Sequence, residues 1–217
     1  MKVFVIGATG MTGSAFVQEA VANGLEIIAN GRSEEKLTQL KSQFPQIQIL
    51  AKDAFQLTPA DFSDSDVVLD AFATTPDKAY RHIDLTTKLV SQFRESQKVR
   101  LGFILGAGSL LIGDDDHVAL TDLEKDESTR SWRAIPQEQF KELKFLRDVD
   151  NVDWFGVSPA FSYTPGPKAK EILYDSEHVI FNHSGESKTT AGTMAAALVS
   201  EILTPKHHQQ RFTVANG

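Results

Sequence analysis

The first thirteen residues constrain the fold more than any other part of the chain. Residues 2–13 read KVFVIGATGMTG: an apolar run stops at Gly7, further glycines follow at Gly10 and Gly13, and an amphipathic segment begins. A buried strand, a tight glycine turn and a helix N-terminus together form a cradle whose backbone N–H groups face an anion. The spacing G-x-x-G-x-x-G is a variant of the dinucleotide fingerprint G-x-G-x-x-G. The segment therefore predicts a nucleotide site; the alternative is a structural strand–turn–helix without a ligand.

Strand and helix patterns alternate along all 217 residues. This alternation predicts an α/β fold, a Rossmann-like doubly wound parallel sheet with helices on both faces, in a single domain spanning residues 1–217. We expect strands at 2–6, 25–29, 47–50, 67–69, 101–105 and 154–157, and short strands near 179–181 and at 212–214. We expect helices at 11–23, 34–43, 77–96, 137–147 and 189–203. The irregular stretches 106–135 and 158–188 are expected to form substrate-side loops, the second within a small C-terminal extension.

Composition excludes several classes of protein. The net charge of −7 argues against a nucleic-acid-binding groove, because such a groove needs concentrated Lys and Arg. The chain has no cysteine, which excludes disulfides, thiolate nucleophiles and iron–sulfur clusters. No metal site is predicted, since the acidic run at 114–117 lacks calcium-loop spacing. No apolar run reaches the roughly 18 residues of a membrane span, and the first strand leaves no room for a signal peptide. We therefore expect a cytoplasmic protein without membrane or nucleic-acid partners; its oligomeric state stays open.

The end of the second predicted strand indicates which dinucleotide would bind. A carboxylate at this position accepts hydrogen bonds from the ribose hydroxyls of NAD and repels a 2′-phosphate. Here the chain reads Ala29-Asn30-Gly31-Arg32-Ser33, so the acid is missing and a guanidinium stands just past the strand. Arg32 offers bidentate donors to a phosphate, and Ser33 adds a hydroxyl at a helix N-terminus. These residues favour NADP(H) over NAD(H); the alternative is a solvated loop arginine.

Loops after the next two strands are expected to continue the cofactor site, because ligands of such sheets bind beyond the carboxyl ends of the strands. Asp53 and Ala54 follow strand three, where Asp53 would accept a hydrogen bond from the adenine amine or merely form a turn. Phe72, Ala73 and Thr74 follow strand four and would cover the ribose or pyrophosphate. Phe72 is equally compatible with core packing.

The nicotinamide end is expected beyond the fifth and sixth strands. Gly106 and Ala107 are small enough to let a ring approach, and Pro159 and Ala160 would flank its carboxamide. Ser109 is the candidate catalytic residue, as a donor to a substrate oxygen; its alternative is a serine that caps a turn.

An absence narrows the chemistry. Common short-chain dehydrogenases place a Tyr four residues before a Lys, which lowers the pKa of the Tyr for proton transfer. The residues four positions after the three tyrosines are Asp84, Pro167 and His178. No such pair exists here, so ordinary alcohol–ketone oxidoreduction lacks its acid–base machinery.

The chain resembles the atypical short-chain dehydrogenases called NAD(P)H-binding or NmrA-like proteins. Within them it is most similar to the putative NADH-flavin reductase group, which is itself similar to biliverdin reductase B. The stretches that carry the resemblance are VIGATGMTGSAFVQEA at the start, GAGSL at 106–110, VSPA at 157–160, GESKTTAGTMAAALVSEI at 185–202 and PKHHQQRFTVANG at the end.

This resemblance implies an NAD(P)H-dependent reductase that passes a hydride to a small-molecule acceptor, namely a flavin or a similar flat conjugated ring. It implies that Arg32 binds the 2′-phosphate of the cofactor. It also implies that the residues of the glycine turn and the start of the first helix contact the cofactor, namely Gly7, Thr9, Gly10, Met11 and Thr12. Two alternatives stay open: a redox sensor that binds NADP(H) without turnover, and an epimerase-like enzyme that retains its cofactor.

Overall fold

The computed structural model describes residues 1–96 and 98–217. The strands of these residues are β1 (Lys2–Ile6), β2 (Glu26–Gly31), β3 (Gln48–Ala51), β4 (Val67–Asp70), β5 (Arg100–Ile104), β6 (Leu111–Ile112), β7 (His117–Val118), β8 (Trp154–Pro159), β9 (Ser162–Thr164), β10 (Ile172–Asp175), β11 (Lys188–Thr190) and β12 (Gln210–Asn216). The α-helices are α1 (Met11–Ala22), α2 (Glu34–Gln43), α3 (Arg81–Phe93), α4 (Leu120–Lys125), α5 (Ala134–Arg147) and α6 (Ala191–Leu203).

Eight strands form the main sheet, in the order β10-β12-β8-β5-β4-β1-β2-β3. All neighbours pair in parallel except β10, which runs antiparallel to β12 at the edge. The chain winds outward from β1 to β3 and then returns to β4 on the other side of β1. This reversal opens a crevice at the carboxyl ends of β1 and β4, where ligands of doubly wound sheets bind. The predicted Rossmann-like fold is confirmed.

Both faces of the sheet are covered, which explains why β1 reads as an unbroken apolar run. Val3 and Val5 point into a core shared with α1, α2 and α6. Phe4 and Ile6 point into the opposite core, built with α3 and α5. The side chains of Val3–Ile6 are therefore removed from water, and the glycine turn follows at the carboxyl end of a central strand.

The substrate-side segments differ from the sequence prediction. The prediction of a strand near 179–181 is wrong, because those residues lie outside the strands. The region after β8 contains β9, β10 and β11 instead. Their pairing depends on long-range contacts, such as the Thr189 hydroxyl that donates to the Val214 carbonyl at 2.6 Å. The stretch 106–135 is less irregular than expected, because it holds the β6–β7 hairpin and α4.

Two helices begin at other residues than predicted. The helix expected from residue 77 begins at Arg81, because Pro76–Lys78 forms a separate 3₁₀ turn. The helix expected from residue 137 begins at Ala134, which places Pro136 in its first turn, where a proline is tolerated.

Within 1–96 and 98–217, no helix combines the length and apolar character needed to cross a bilayer. The same residues contain no group of three or more His, Asp or Glu side chains arranged to hold a metal ion.

Candidate cofactor and acceptor cleft

Two adjoining cavities lie at the carboxyl ends of the central strands. The large cavity has a volume of about 740 Å³ and reaches from the start of α1 to α4, α5 and β9. The small cavity, of about 210 Å³, lies over the ends of β2 and β3. Four residues line both cavities, namely Gly10, Ala71, Phe72 and Ala73. The two cavities therefore form one groove with two compartments across the switch point of the sheet.

The glycine turn at the centre of this groove is sterically required. Gly7 has φ +74°, and a Cβ there would lie 2.5 Å from the Ala71 carbonyl oxygen. A Cβ on Gly13 would lie 2.2 Å from the Gly7 carbonyl oxygen. Both distances are far shorter than a nonbonded contact allows. The two glycines thus let β1, the turn and α1 pack closely enough to bring backbone amides to the groove.

The N-terminus of α1 is arranged for an anion. Its N-cap is Gly10, so no side chain accepts from the first amides, and no acidic residue lies in the first turn. By contrast, the Ser33 hydroxyl caps α2 and the Thr190 hydroxyl caps α6. Met11 and Thr12, in the first turn of α1, line the large cavity. The free amides and the helix dipole therefore face the groove, as a pyrophosphate requires.

Positive charge gathers in the small cavity. Arg32, Lys36 and Lys52 all line it, together with Thr9 and Gly31. The Lys52 ammonium is engaged by Asp61 at 2.7 Å. Arg32 and Lys36 are exposed and form no ion pair among the residues that the structure describes. Two cations at this position suit a 2′-phosphate; Lys36 was not singled out in the sequence, although it lies four residues after Arg32 on the first turn of α2.

Ser33 lies outside the lining of both cavities. Its hydroxyl accepts a hydrogen bond from the Lys36 amide at 3.3 Å and so caps the N-terminus of α2. The phosphate contact expected of Ser33 stays a prediction, and its observed contact is with the helix.

Asp53 and Ala54 line the small cavity beyond β3. The Asp53 carboxylate accepts from the Phe55 amide at 2.9 Å and lies 3.8 Å from the Arg81 guanidinium. It is therefore partly engaged in closing its own turn, and the expected adenine contact stays a prediction.

The loop after β4 forms the wall between the cavities. Asp70 is buried and accepts from the Phe72 amide at 2.9 Å, which fixes the turn. Burial raises the pKa of Asp70 to about 7. The Phe72 ring packs edge-on against Phe55 and His82, at centroid distances of 5.9 and 5.6 Å. Phe72 is thus both a packing residue and a wall of the groove, beside Ala73; Thr74 lines the large cavity only.

The loop after β5 borders the large cavity through Gly106 and Ala107, and Pro159 and Ala160 border it from β8. Ser109 is buried and lies outside the lining. Its hydroxyl donates to the Gly106 carbonyl at 3.0 Å, as the Ser158 hydroxyl does at 3.1 Å. This geometry favours the turn-capping alternative for Ser109 over a substrate contact.

Behind this loop lies a buried arginine whose role was not predicted from the sequence. Arg211 on β12 donates to the hydroxyls of Ser109 and Ser158, at 3.4 and 3.3 Å, and pairs with Glu177. It ties the Gly106 loop to β8 and to the segment after β10. No local sequence pattern indicates these contacts, because the partners lie 34 to 102 residues from Arg211 in the chain.

Two ring side chains in the large cavity are uncharged near neutral pH. The Tyr163 hydroxyl bonds with the Thr12 hydroxyl at 2.7 Å, and burial raises the pKa of Tyr163 to about 12. Burial lowers the pKa of His82 to about 4. Both shifts move the groups away from the range in which they would exchange protons efficiently at neutral pH. The missing Tyr–Lys pair is not replaced by either residue.

A buried carboxyl lies between α3 and α5, behind the cavity wall. Glu142 accepts from the Thr86 hydroxyl at 2.6 Å, while its second oxygen has no partner among the described residues. Burial raises the pKa of Glu142 to about 8, and the charge of Asp70 acts in the same direction.

Comparison with known proteins decides the family. A model of NAD(P)H-binding proteins matches residues 7–204. The chain belongs to the NAD(P)H-binding family. Membership agrees with the resemblance noted in the sequence and with the uncapped helix and glycine turn described above.

Three relatives illustrate this family. The YwnB protein of Bacillus subtilis is 30% identical over 217 residues, which is 100% of this chain and 99% of that protein. A crystal structure from Lactobacillus casei superposes with a TM-score of 0.91 at 32% identity, covering 100% of both chains. The crystal structure of a putative NADH-flavin reductase from Streptococcus pneumoniae superposes with a TM-score of 0.89 at 31% identity, again over 100% of both chains.

Proposed function

We propose that this protein is an NADPH-dependent reductase that transfers a hydride to a flavin or a similar flat conjugated acceptor. The observation that carries the proposal is the continuity of the groove. The small cavity, which is lined by cations, opens past the glycine turn into a larger apolar cavity where an acceptor ring would meet the nicotinamide. The Streptococcus pneumoniae relative supports the reaction class through its name.

The residues present fit the dinucleotide. A methyl group at Gly7 or Gly13 would overlap the backbone, so only glycine allows the close packing that brings the start of α1 to the groove. The uncapped first turn of α1 would hold the pyrophosphate, and Arg32 with Lys36 would hold the 2′-phosphate. When bound, the dinucleotide supplies the hydride.

The protein's own part in the reaction is positioning rather than acid–base catalysis. Gly106, Ala107, Pro159 and Ala160 line the large cavity, where the two rings would be held in contact. A flavin that accepts a hydride at a ring nitrogen can take its proton from water, so no side-chain acid is needed. Holding two rings in contact is itself a large contribution to the rate.

The proposal is tested by following the nicotinamide absorbance while the protein is mixed with NADPH and a panel of flavins and quinones. We expect consumption of NADPH that depends on protein and acceptor. Tight NADPH binding with no consumption for any acceptor would contradict the reductase and favour a redox sensor.

The preference for NADPH is tested by Arg32→Ala. Loss of a charge-assisted contact costs about 1.5–3 kcal/mol, so the Kd for NADPH should rise by at least about tenfold. The Kd for NADH should change little. Arg130→Ala is the matched control, because Arg130 is exposed, lies outside both cavities and pairs with Glu127. Equal losses for both dinucleotides in Arg32→Ala would refute the phosphate role.

A further inference from the structure

The large cavity differs from the small one in its charge. Three cationic side chains line the small cavity, whereas none of the Lys or Arg residues that the structure describes lines the large one. The titratable groups of the large cavity are His82, Tyr163 and Asp122. The first two are neutral near pH 7, for the reasons given above. The acceptor half of the groove therefore offers no counter-charge to a phosphate or a carboxylate.

The mouth of the large cavity is aromatic. Trp132 and Phe161 line it while remaining 45% and 44% exposed. Phe181, 50% exposed, extends this surface by packing edge-on against Phe161 at a centroid distance of 6.5 Å. Aromatic side chains left half in water at a cavity mouth are suited to stack on a flat ring.

The segment beside this mouth is acidic. Residues 114–127 carry seven carboxylates against one lysine and one histidine. Asp122 lines the cavity and contacts the His117 imidazole at 2.7 Å, which Asp115 contacts from the other side at 2.6 Å. The nearby arginines are turned toward this segment: Arg130 pairs with Glu127, and Arg133 donates to the Glu124 carbonyl. An anionic tail leaving the cavity would meet carboxylates rather than free cations.

From these observations we propose that the acceptor is an uncharged ring system, such as riboflavin or a quinone, and that flavins with a phosphate tail are disfavoured. This inference rests on the proposed reductase function and specifies its substrate class. In the reaction with riboflavin, the isoalloxazine gains a hydride at N5 from the dihydronicotinamide, which is oxidised to NADP⁺. The ring takes one proton at N1 from water. Two electrons and two hydrogen atoms are thus added to the acceptor, and no other reactant is needed.

Riboflavin and FMN form a matched pair of probes, because they share one ring and one ribityl chain and differ in a single phosphate. We expect kcat/KM at saturating NADPH to be at least tenfold higher for riboflavin than for FMN. An uncharged naphthoquinone should also be reduced. The difference between the two flavins should narrow as salt is added, because screening weakens repulsion between exposed charges.

A binding measurement separates this inference from the proposed function. Protein saturated with NADP⁺ is titrated into each flavin while the flavin fluorescence is followed, so that no turnover is required. We expect tighter binding of riboflavin than of FMN by the same factor. If NADPH is never consumed but riboflavin binds more tightly, the reductase fails and the neutral site stands. If FMN binds or reacts as well as riboflavin, the neutral site is refuted, whether or not turnover occurs.

A variant provides the converse test. Trp132 is exposed enough that Trp132→Lys should fold, which near-native thermal unfolding would verify. The added cation should raise the FMN-to-riboflavin ratio of kcat/KM by about fivefold or more. Trp132→Gln is the matched control, since it removes the indole without adding charge, and it should leave the ratio near the wild-type value. Equal ratios in the two folded variants would overturn the inference.

Discussion

The buried Glu142 carboxyl should make the stability of the folded protein depend on pH. This carboxyl is buried between α3 and α5 with one oxygen unpartnered, and its pKa is raised from 4.5 to about 8 by burial. Between those two values the unfolded chain has released the proton while the folded protein still holds it. The folded state is therefore favoured fully below pH 4.5, and this advantage is lost as the pH rises toward 8.

The magnitude follows from the two pKa values. Each pH unit within this interval costs up to about 1.4 kcal/mol, so Glu142 lowers the free energy of unfolding by about 2 kcal/mol between pH 6 and pH 8. Glu142→Gln removes this titration but leaves amide donors without partners, which costs about 1 kcal/mol at low pH. The variant should therefore be less stable than the wild type near pH 4 and more stable above pH 8. The charge of Asp70 contributes to the raised pKa of Glu142, so the comparison measures Glu142 together with its coupling to Asp70.

Urea unfolding at a series of pH values measures this directly, with circular dichroism as the signal. Glu138→Gln is the matched control: Glu138 lies one turn earlier on the same helix and pairs with Lys141 at 2.6 Å. Between pH 7 and pH 9 it should show the same fall in stability as the wild type. The reasoning is refuted if the stability curves of the Glu142→Gln variant and the wild type run parallel from pH 5 to pH 9.

Two further substitutions test the groove. Gly13→Ala places a methyl carbon 2.2 Å from the Gly7 carbonyl oxygen, so we expect a loss of about 1–3 kcal/mol in stability and weaker NADPH binding by calorimetry. Gly10→Ala, whose Cβ would lie 3.3 Å from the same oxygen, should cost clearly less stability; equal costs would argue against the close approach. Tyr163→Phe loses the 2.7 Å hydrogen bond to Thr12, which is worth about 1 kcal/mol. Because this bond holds Thr12 in the first turn of α1, where the pyrophosphate would bind, its loss should raise the KM for NADPH several-fold. Its kcat should keep the wild-type pH profile, whereas a vanished pH limb would show that Tyr163 transfers a proton.

The sequence determined the architecture of the nucleotide half of the molecule. β1, its glycine turn and α1 are contiguous in the chain, so the spacing of their residues is enough to locate them. The alternation of strands with helices predicts a parallel sheet, in which ligands bind at the carboxyl ends of the strands. The position of Arg32 beside the small cavity followed in the same way, because Arg32 comes directly after β2; its contact with a phosphate stays a prediction. The family and the fold therefore followed from local patterns.

Only the tertiary structure determined the large cavity and the segments around it. Short strands such as β9 and β10 exist through pairing with distant residues, and their own patterns are too brief to predict. Ser109 illustrates the same limit: its position after β5 suggested a substrate contact, but hydrogen bonds to Gly106 and Arg211 turn its hydroxyl into the protein. Packing between segments far apart in the chain determines which side chains line a cavity and which charges are absent from it. The spacing of residues in the sequence does not specify that packing.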